Sequence, residues 1–135
     1  MEKEIDSKPR DLGAFAGLIG LSFTAKANGS SQCVLTVSEN LFNPNGVLHG
    51  GVVYSMADTG MGGALHSILS ADETCATIEI NIVYLKAVTT GVLICNTKLL
   101  RKGRNIGVLE SDVENEGQLV AKALGTFSIL KRRDP

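Results

Sequence analysis

The chain has 135 residues, 44% of them hydrophobic and 20% charged, with a net charge of -1. That length suits one domain with a sizeable core, and the composition is that of an ordinary globular protein. The near-neutral charge gives no global drive toward nucleic acid or an anionic membrane, and no apolar run reaches the roughly 18 residues of a membrane span.

Residues 1–9 are polar and expected to fray. The start, Met1-Glu2-Lys3-Glu4-Ile5-Asp6, lacks the apolar core of a signal peptide. A flexible segment 1–11 is therefore expected ahead of a single domain, 12–135. Residues 10–20 predict a short, weak helix or turn. Residues 20–27 and 31–38 predict strands joined at Asn28-Gly29, a favourable hairpin turn. Residues 39–47 form a loop rich in Asn, Pro and Gly. The apolar stretch 48–69 is too long for a strand and predicts one central helix. Its three late glycines, Gly60, Gly62 and Gly63, cost about 1 kcal/mol each relative to alanine. Close approach of helix to sheet is the expected return.

Downstream, residues 75–86 alternate, with Ile78, Ile80, Ile82 and Tyr84 on one face and Thr77, Glu79 and Asn81 on the other. Residues 91–101, 104–114 and 118–131 are further strands, separated by Thr89-Thr90-Gly91, Lys102-Gly103 and Asn115-Glu116-Gly117. One helix and about six strands on short turns imply an α+β fold, an antiparallel sheet wrapped around the helix.

Asp58 stands out chemically. It is the sole formally charged side chain between Asn40 and Ala71, and burial of a carboxylate is expensive unless something pairs with it or uses it. The helix begins at His49-Gly50-Gly51. Glycines let a ligand approach the unpaired N–H groups of a first helical turn, which can hold an oxyanion. Gly50 and Asp58 lie eight residues apart, so roughly 12 Å separates them along the helix. One substrate carbonyl can meet both only if two subunits share the site, with helices antiparallel across a twofold. The run KLLRKGRN, Lys98 to Asn105, is the one dense basic cluster and would attract phosphates. It carries no aromatic residues for stacking, so nucleic-acid binding is not expected. Cys33, Cys75 and Cys95 are scattered, and His49 and His66 are the only imidazoles. No zinc spacing results, and buried structural thiols in a reducing cytosol are expected.

The segment NPNGVLHGGVVYSMAD, Asn43 to Asp58, resembles the signature of hotdog-fold acyl-CoA thioesterases, specifically the phenylacetate-pathway type with an aspartate on the central helix. TIEINIVYLK, the basic turn and the ending LVAKALGTFSIL match as well, so the resemblance spans roughly residues 12–131. It implies a hotdog fold, dimers that pair into homotetramers, a cytoplasmic location, and acyl-CoA hydrolysis without metal or cofactor. By position, Asp58 would be nucleophile or general base, and the Gly50 amide would polarise the thioester carbonyl. Asn43 and His49 would line the site, and Thr77 stands where the family often has a serine or threonine near the acid. Gly51, Lys86 and the turn residues Arg101, Lys102, Gly103, Arg104 and Asn105 would bind the acyl-CoA. The family leaves the acyl group open. The rival expectation is a hotdog protein that binds acyl-CoA without cleaving it. Such binders inside repressors carry an added DNA-binding domain, for which 135 residues leave no room. A hotdog dehydratase would need a histidine–acid pairing in a different motif.

Overall fold

The computed structural model describes residues 13–133; the expected flexible segment 1–11 lies outside them. The described chain runs α1 (Ala14–Ile19), β1 (Ser22–Ala27), β2 (Ser30–Thr36), a 3-10 turn (Glu39–Leu41), α2 (Gly50–His66), β3 (Glu73–Tyr84), β4 (Val92–Lys102), β5 (Ile106–Asn115) and β6 (Gln118–Lys131). The six strands form one antiparallel sheet in the order β1-β2-β4-β5-β6-β3. The sheet wraps α2, as the pattern of one long apolar segment among short strands demands.

Local chemistry sets the turns. Asn28 and Gly29 both take positive φ between paired Ala27 and Ser30, the geometry of a two-residue hairpin that follows the strand twist. The β5–β6 hairpin closes the same way through Glu116 and Gly117. The helix is shorter than expected, Gly50–His66 rather than 48–69. Leu48 at one end bonds to Val88, and Ser67 at the other caps the last turn through Ala64 O.

Two apolar clusters fill the space between helix and sheet. Val52, Val53 and Met56 pack with Leu35, Leu93 and Val120 beneath the first half of α2. Met61, Ala64 and Leu65 pack with Leu109, Phe127 and Ile129 beneath the second. Between them lies a strip of small polar side chains. Ser31 Oγ donates to Gly60 O at 2.6 Å, Thr97 and Ser111 share a hydrogen bond at 2.6 Å, and Cys33 Sγ lies 3.6 Å from Met56 O. Cys33 and Cys95 face each other across β2 and β4, fully buried. Their hydrogen bond, with burial, holds the Cys33 thiol protonated, far above the ordinary thiol range.

The glycines divide. A Cβ at Gly60 would stand 2.9 Å from Thr97 Oγ1, and one at Gly63 would stand 2.5 Å from the Phe23 ring, so close packing explains both. A Cβ at Gly62 would meet only Phe127, at an ordinary 3.8 Å; the packing expectation fails there. Among the described residues no helix is long and apolar enough to cross a membrane.

Gly60→Ala forces the helix off buried Thr97 or displaces its hydroxyl from Ser111. Overpacking of this kind is expected to destabilise the fold by about 1–3 kcal/mol. Thermal unfolding of the variant beside Gly62→Ala, which should change little, checks the distinction.

Candidate active site

Asp58 sits midway along α2. The helix buries Val53, Met56, Ala57, Gly60, Met61 and Ala64, and Asp58 emerges half-buried between those rows. Within one chain the carboxylate keeps part of its surface exposed. Its partner is Thr77, whose hydroxyl donates to Asp58 Oδ1 at 2.6 Å. The acid also pushes the half-buried Cys75 thiol up, adding to the larger effect of burial.

Simple alternation put Thr77 on the face of β3 opposite Ile80 and Ile82. The structure puts all three toward the helix. The register against β6 slips between Thr77 and Glu79, with Thr77 opposite Phe127 and Glu79 opposite Thr126. Ile78 is the extra residue of this bulge and points to solvent at 55% exposure. A bulge re-aims one side chain relative to the strand on either side of it. Here it lets Thr77 reach Asp58 while Ile80 and Ile82 still pack in the core.

The other half of the expected chemistry lies at the start of α2. The lead-in loop is held by its own groups. Asn43 Oδ1 accepts from Asn45 N at 2.9 Å and Val47 N at 3.3 Å, and Asn43 N donates to Val47 O at 2.8 Å. His49 is the helix cap, its Nδ1 accepting from Gly51 N at 2.8 Å. That bond assigns the unprotonated nitrogen to Nδ1 and leaves Nε2 as the outward donor of neutral His49. Val52 N donates to His49 O at 3.0 Å. Gly50 N is the amide of this first turn that makes no hydrogen bond among the described residues. The positive end of the helix dipole adds to its donor strength.

Gly50 and Gly51 line an open cavity of about 490 Å³. Its other walls are mostly apolar and include Leu48, Val53, Tyr84 and Val120. Lys86 stands in the wall, with its ammonium bonded to Gln118 Oε1. Tyr84, which strand alternation places only on an apolar face, donates its hydroxyl to Gly50 O at 2.7 Å. Its signal was the polar handle on an aromatic side chain, which has to find an acceptor when partly buried.

The structure thus brings Asp58 together with Thr77, and Gly50, Gly51 and Lys86 together around the cavity. Asn43 and His49 belong to the loop that delivers the helix start. Gly50 and Asp58 remain two helical turns apart, roughly 12 Å along the axis. The basic turn is at the far end of the molecule. Asn105 O accepts from Ile129 N, and Gly107 lies against Leu65 in the last turns of α2. Arg101, Lys102, Arg104 and Asn105 are all exposed there, and Gly103 N closes the turn onto Ile106 O at 2.7 Å. Among the described residues no group of three His, Cys, Asp or Glu side chains could hold a metal ion.

A single helix wrapped by a six-stranded antiparallel sheet, with a glycine start and one acid on the helix, defines a hotdog-fold protein. The family model of the thioesterase superfamily matches residues 45–122, more than half of the chain, and the protein belongs to that superfamily. A conserved protein of Pseudomonas aeruginosa superposes with a TM-score of 0.85 at 35% identity, covering 88% of this chain and 95% of that one. A phenylacetic acid degradation-related protein of Ralstonia eutropha superposes with a TM-score of 0.81 at 27% identity, covering 87% of this chain and 90% of that one. The 1,4-dihydroxy-2-naphthoyl-CoA hydrolase of Listeria monocytogenes is 25% identical over 116 residues, 85% of this chain and 94% of its own. The resemblance seen in the sequence is to the right fold and superfamily, and thioester hydrolysis is the general activity the membership supports.

Replacing His49 by alanine removes the acceptor for Gly51 N, and loss of such a cap is expected to cost about 1 kcal/mol of stability. His49→Asn, which restores a capping oxygen, should regain most of it. Denaturant unfolding of the two variants measures the difference.

Proposed function

We propose that the protein hydrolyses acyl-CoA thioesters at a site shared by two subunits. The observation that carries this reading is the pairing of two incomplete halves: an unpartnered amide at Gly50 on a cavity wall, and a half-exposed Asp58 oriented by Thr77. Neither half suffices alone, and the helix keeps them too far apart to act together within one chain.

The edge of the sheet supports the assembly. β3 is an edge strand of 12 residues with no neighbour on its outer side among the described residues. It exposes Ile78, Val83 and Tyr84, and exposed Leu85 follows directly after it. Long apolar edges of this kind pair with another strand. Pairing β3 with its twofold mate would extend the sheet and bring two α2 helices side by side, antiparallel. If Gly50 meets the partner's Asp58, the twofold passes near Tyr54. The partner's basic turn then lies beyond Gly50, because its α2 runs about 12 Å further from Asp58 to His66. This accounts for a cationic turn remote from Gly50 in its own chain: it would meet the CoA phosphates of the neighbouring site, as the notion of a shared site requires. Dimers of this kind would pair further into tetramers. Asn43 and His49 Nε2 would line the mouth and help orient water or the thioester, and Lys86 would meet the carrier.

The proposed reaction is compatible with this donor set. The thioester carbonyl oxygen accepts from Gly50 N–H as charge develops on it. Asp58 removes a proton from water as the water oxygen bonds to the carbonyl carbon, or attacks that carbon itself to give an anhydride that water then opens. The carbon–sulfur bond breaks, the CoA thiolate leaves with the bonding pair, and it takes up the proton. Thr77 fixes which carboxylate oxygen remains to act. The proposed steps call on no metal or cofactor.

Asp58→Asn keeps the shape and the Thr77 contact but removes the charge. It should lower kcat by about 100-fold or more in a free-thiol release assay over short, long and aromatic acyl-CoAs. A variant that hydrolyses the best substrate at the wild-type rate overturns the assignment. A protein that only binds acyl-CoA would show no turnover even before mutation.

Mixing Asp58→Asn chains with Gly50→Val chains tests the sharing. Each mixed dimer can assemble one intact site, so activity should reappear on subunit exchange. No recovery after exchange is demonstrated by mass spectrometry would count against a shared site.

A further inference from the structure

The chemistry above needs the Gly50 amide aimed at one point in the cavity, yet glycine is the residue least able to hold its own backbone orientation. Something else has to fix it. The peptide that joins His49 to Gly50 is held at its oxygen, where Val52 N donates at 3.0 Å. The peptide that joins Gly50 to Gly51 is held at both ends. Its N–H donates to His49 Nδ1 at 2.8 Å, and its oxygen accepts from the Tyr84 hydroxyl at 2.7 Å. The Tyr84 ring also lies over the glycine, with ring atoms 3.1–3.2 Å from where a Cβ would stand. Among all these groups the Gly50 N–H is the one left without a partner among the described residues.

We infer that Tyr84 is a positioning residue, which clamps the peptide following Gly50 and so holds the Gly50 amide at the angle from which it donates to the substrate oxygen. The clamp comes from β3, the strand that also orients Asp58 through Thr77. One edge strand therefore sets both reacting groups, and the same strand is the proposed subunit contact. Tyr84 acts through Gly50 and need not touch the reacting atoms. Burial, with a smaller effect of neighbouring Tyr54, pushes the Tyr84 phenol above its ordinary range. The hydroxyl consequently stays protonated, and remains a donor, through neutral and mildly alkaline pH. A preorganised donor contributes most when it does not have to reorient as charge develops.

The inference rests on the thioesterase reading for its kinetic arm only. Tyr84→Phe keeps the ring over Gly50 and deletes the hydroxyl. A purely packing role predicts unchanged kcat. The positioning role predicts kcat lower by about 10-fold with KM changed less than about twofold, because the amide matters more to the transition state than to the bound thioester. Nuclear magnetic relaxation of the Gly50 amide supplies the second arm. It should be as rigid in the wild-type protein as the amides of the next helical turn, and clearly more mobile in Tyr84→Phe. Unchanged kcat, or a KM increase that accounts for the whole loss, overturns the inference, as does a mobile Gly50 amide in the wild type. Should the wild type release no thiol from any acyl-CoA, the thioesterase reading fails, and the amide measurements alone decide whether Tyr84 clamps Gly50.

Discussion

Everything in this molecule follows from where α2 is seated on the sheet. The helix carries the acid and the unpartnered amide, so its position along its own axis decides what each can reach. That position is set at Gly60. With no side chain there, the helix backbone descends onto Thr97, and Ser31 donates to the Gly60 carbonyl. A helix carbonyl normally satisfied within the helix thereby gains a second partner from the sheet. The apolar clusters on either side are non-directional and would tolerate sliding; the polar strip between them is directional and does not. Its members are mutually satisfied: among the described residues no buried side-chain nitrogen or oxygen lacks a hydrogen bond. That matters, since a half-satisfied polar strip is costlier than an apolar one.

The seat alone leaves the acid and the amide loosely held, and β3 adds a contact beside each. Thr77 and Tyr84 each send one hydrogen bond to the helix, to Asp58 and to the Gly50 carbonyl. An edge strand would be the least rigid place for such contacts were it not paired along its length with β6, from Glu73–Lys131 to Tyr84–Ala121. The bulge at Ile78 is the compromise that makes both contacts possible. Without it, Thr77 would face solvent whenever Ile80 and Ile82 faced the core.

Charge is distributed in keeping with this division of labour. The outer face of the sheet ties Lys122 to Glu110 and Asp112, an exposed network that holds the lysine charged, with its pKa well above the ordinary range. Such exposed pairs contribute little to stability. The helix keeps a single acid, with no cation paired to it among the described ion pairs.

The sequence alone determined a good deal. Periodicity and turn chemistry were enough for one helix among six antiparallel strands, because Asn28-Gly29 and Glu116-Gly117 close hairpins by local backbone preference. The isolation of Asp58 and the glycines before it singled them out as a candidate site, because charge in an apolar run and missing side chains at a helix start are properties of composition. The spacing of Gly50 and Asp58 followed from helical rise. What stayed hidden was whatever depends on two segments meeting. Strict alternation misplaced Thr77, since a bulge is decided by the competing demands of β6 and the core. The basic turn was visible as charge, but its distance from Gly50 is a property of the sheet's topology. Gly60, Gly62 and Gly63 looked alike until their neighbours were known. Tyr84 offered only the polar handle of its ring, because a hydrogen bond from its hydroxyl to a carbonyl 34 residues away exists only once strand and helix are packed.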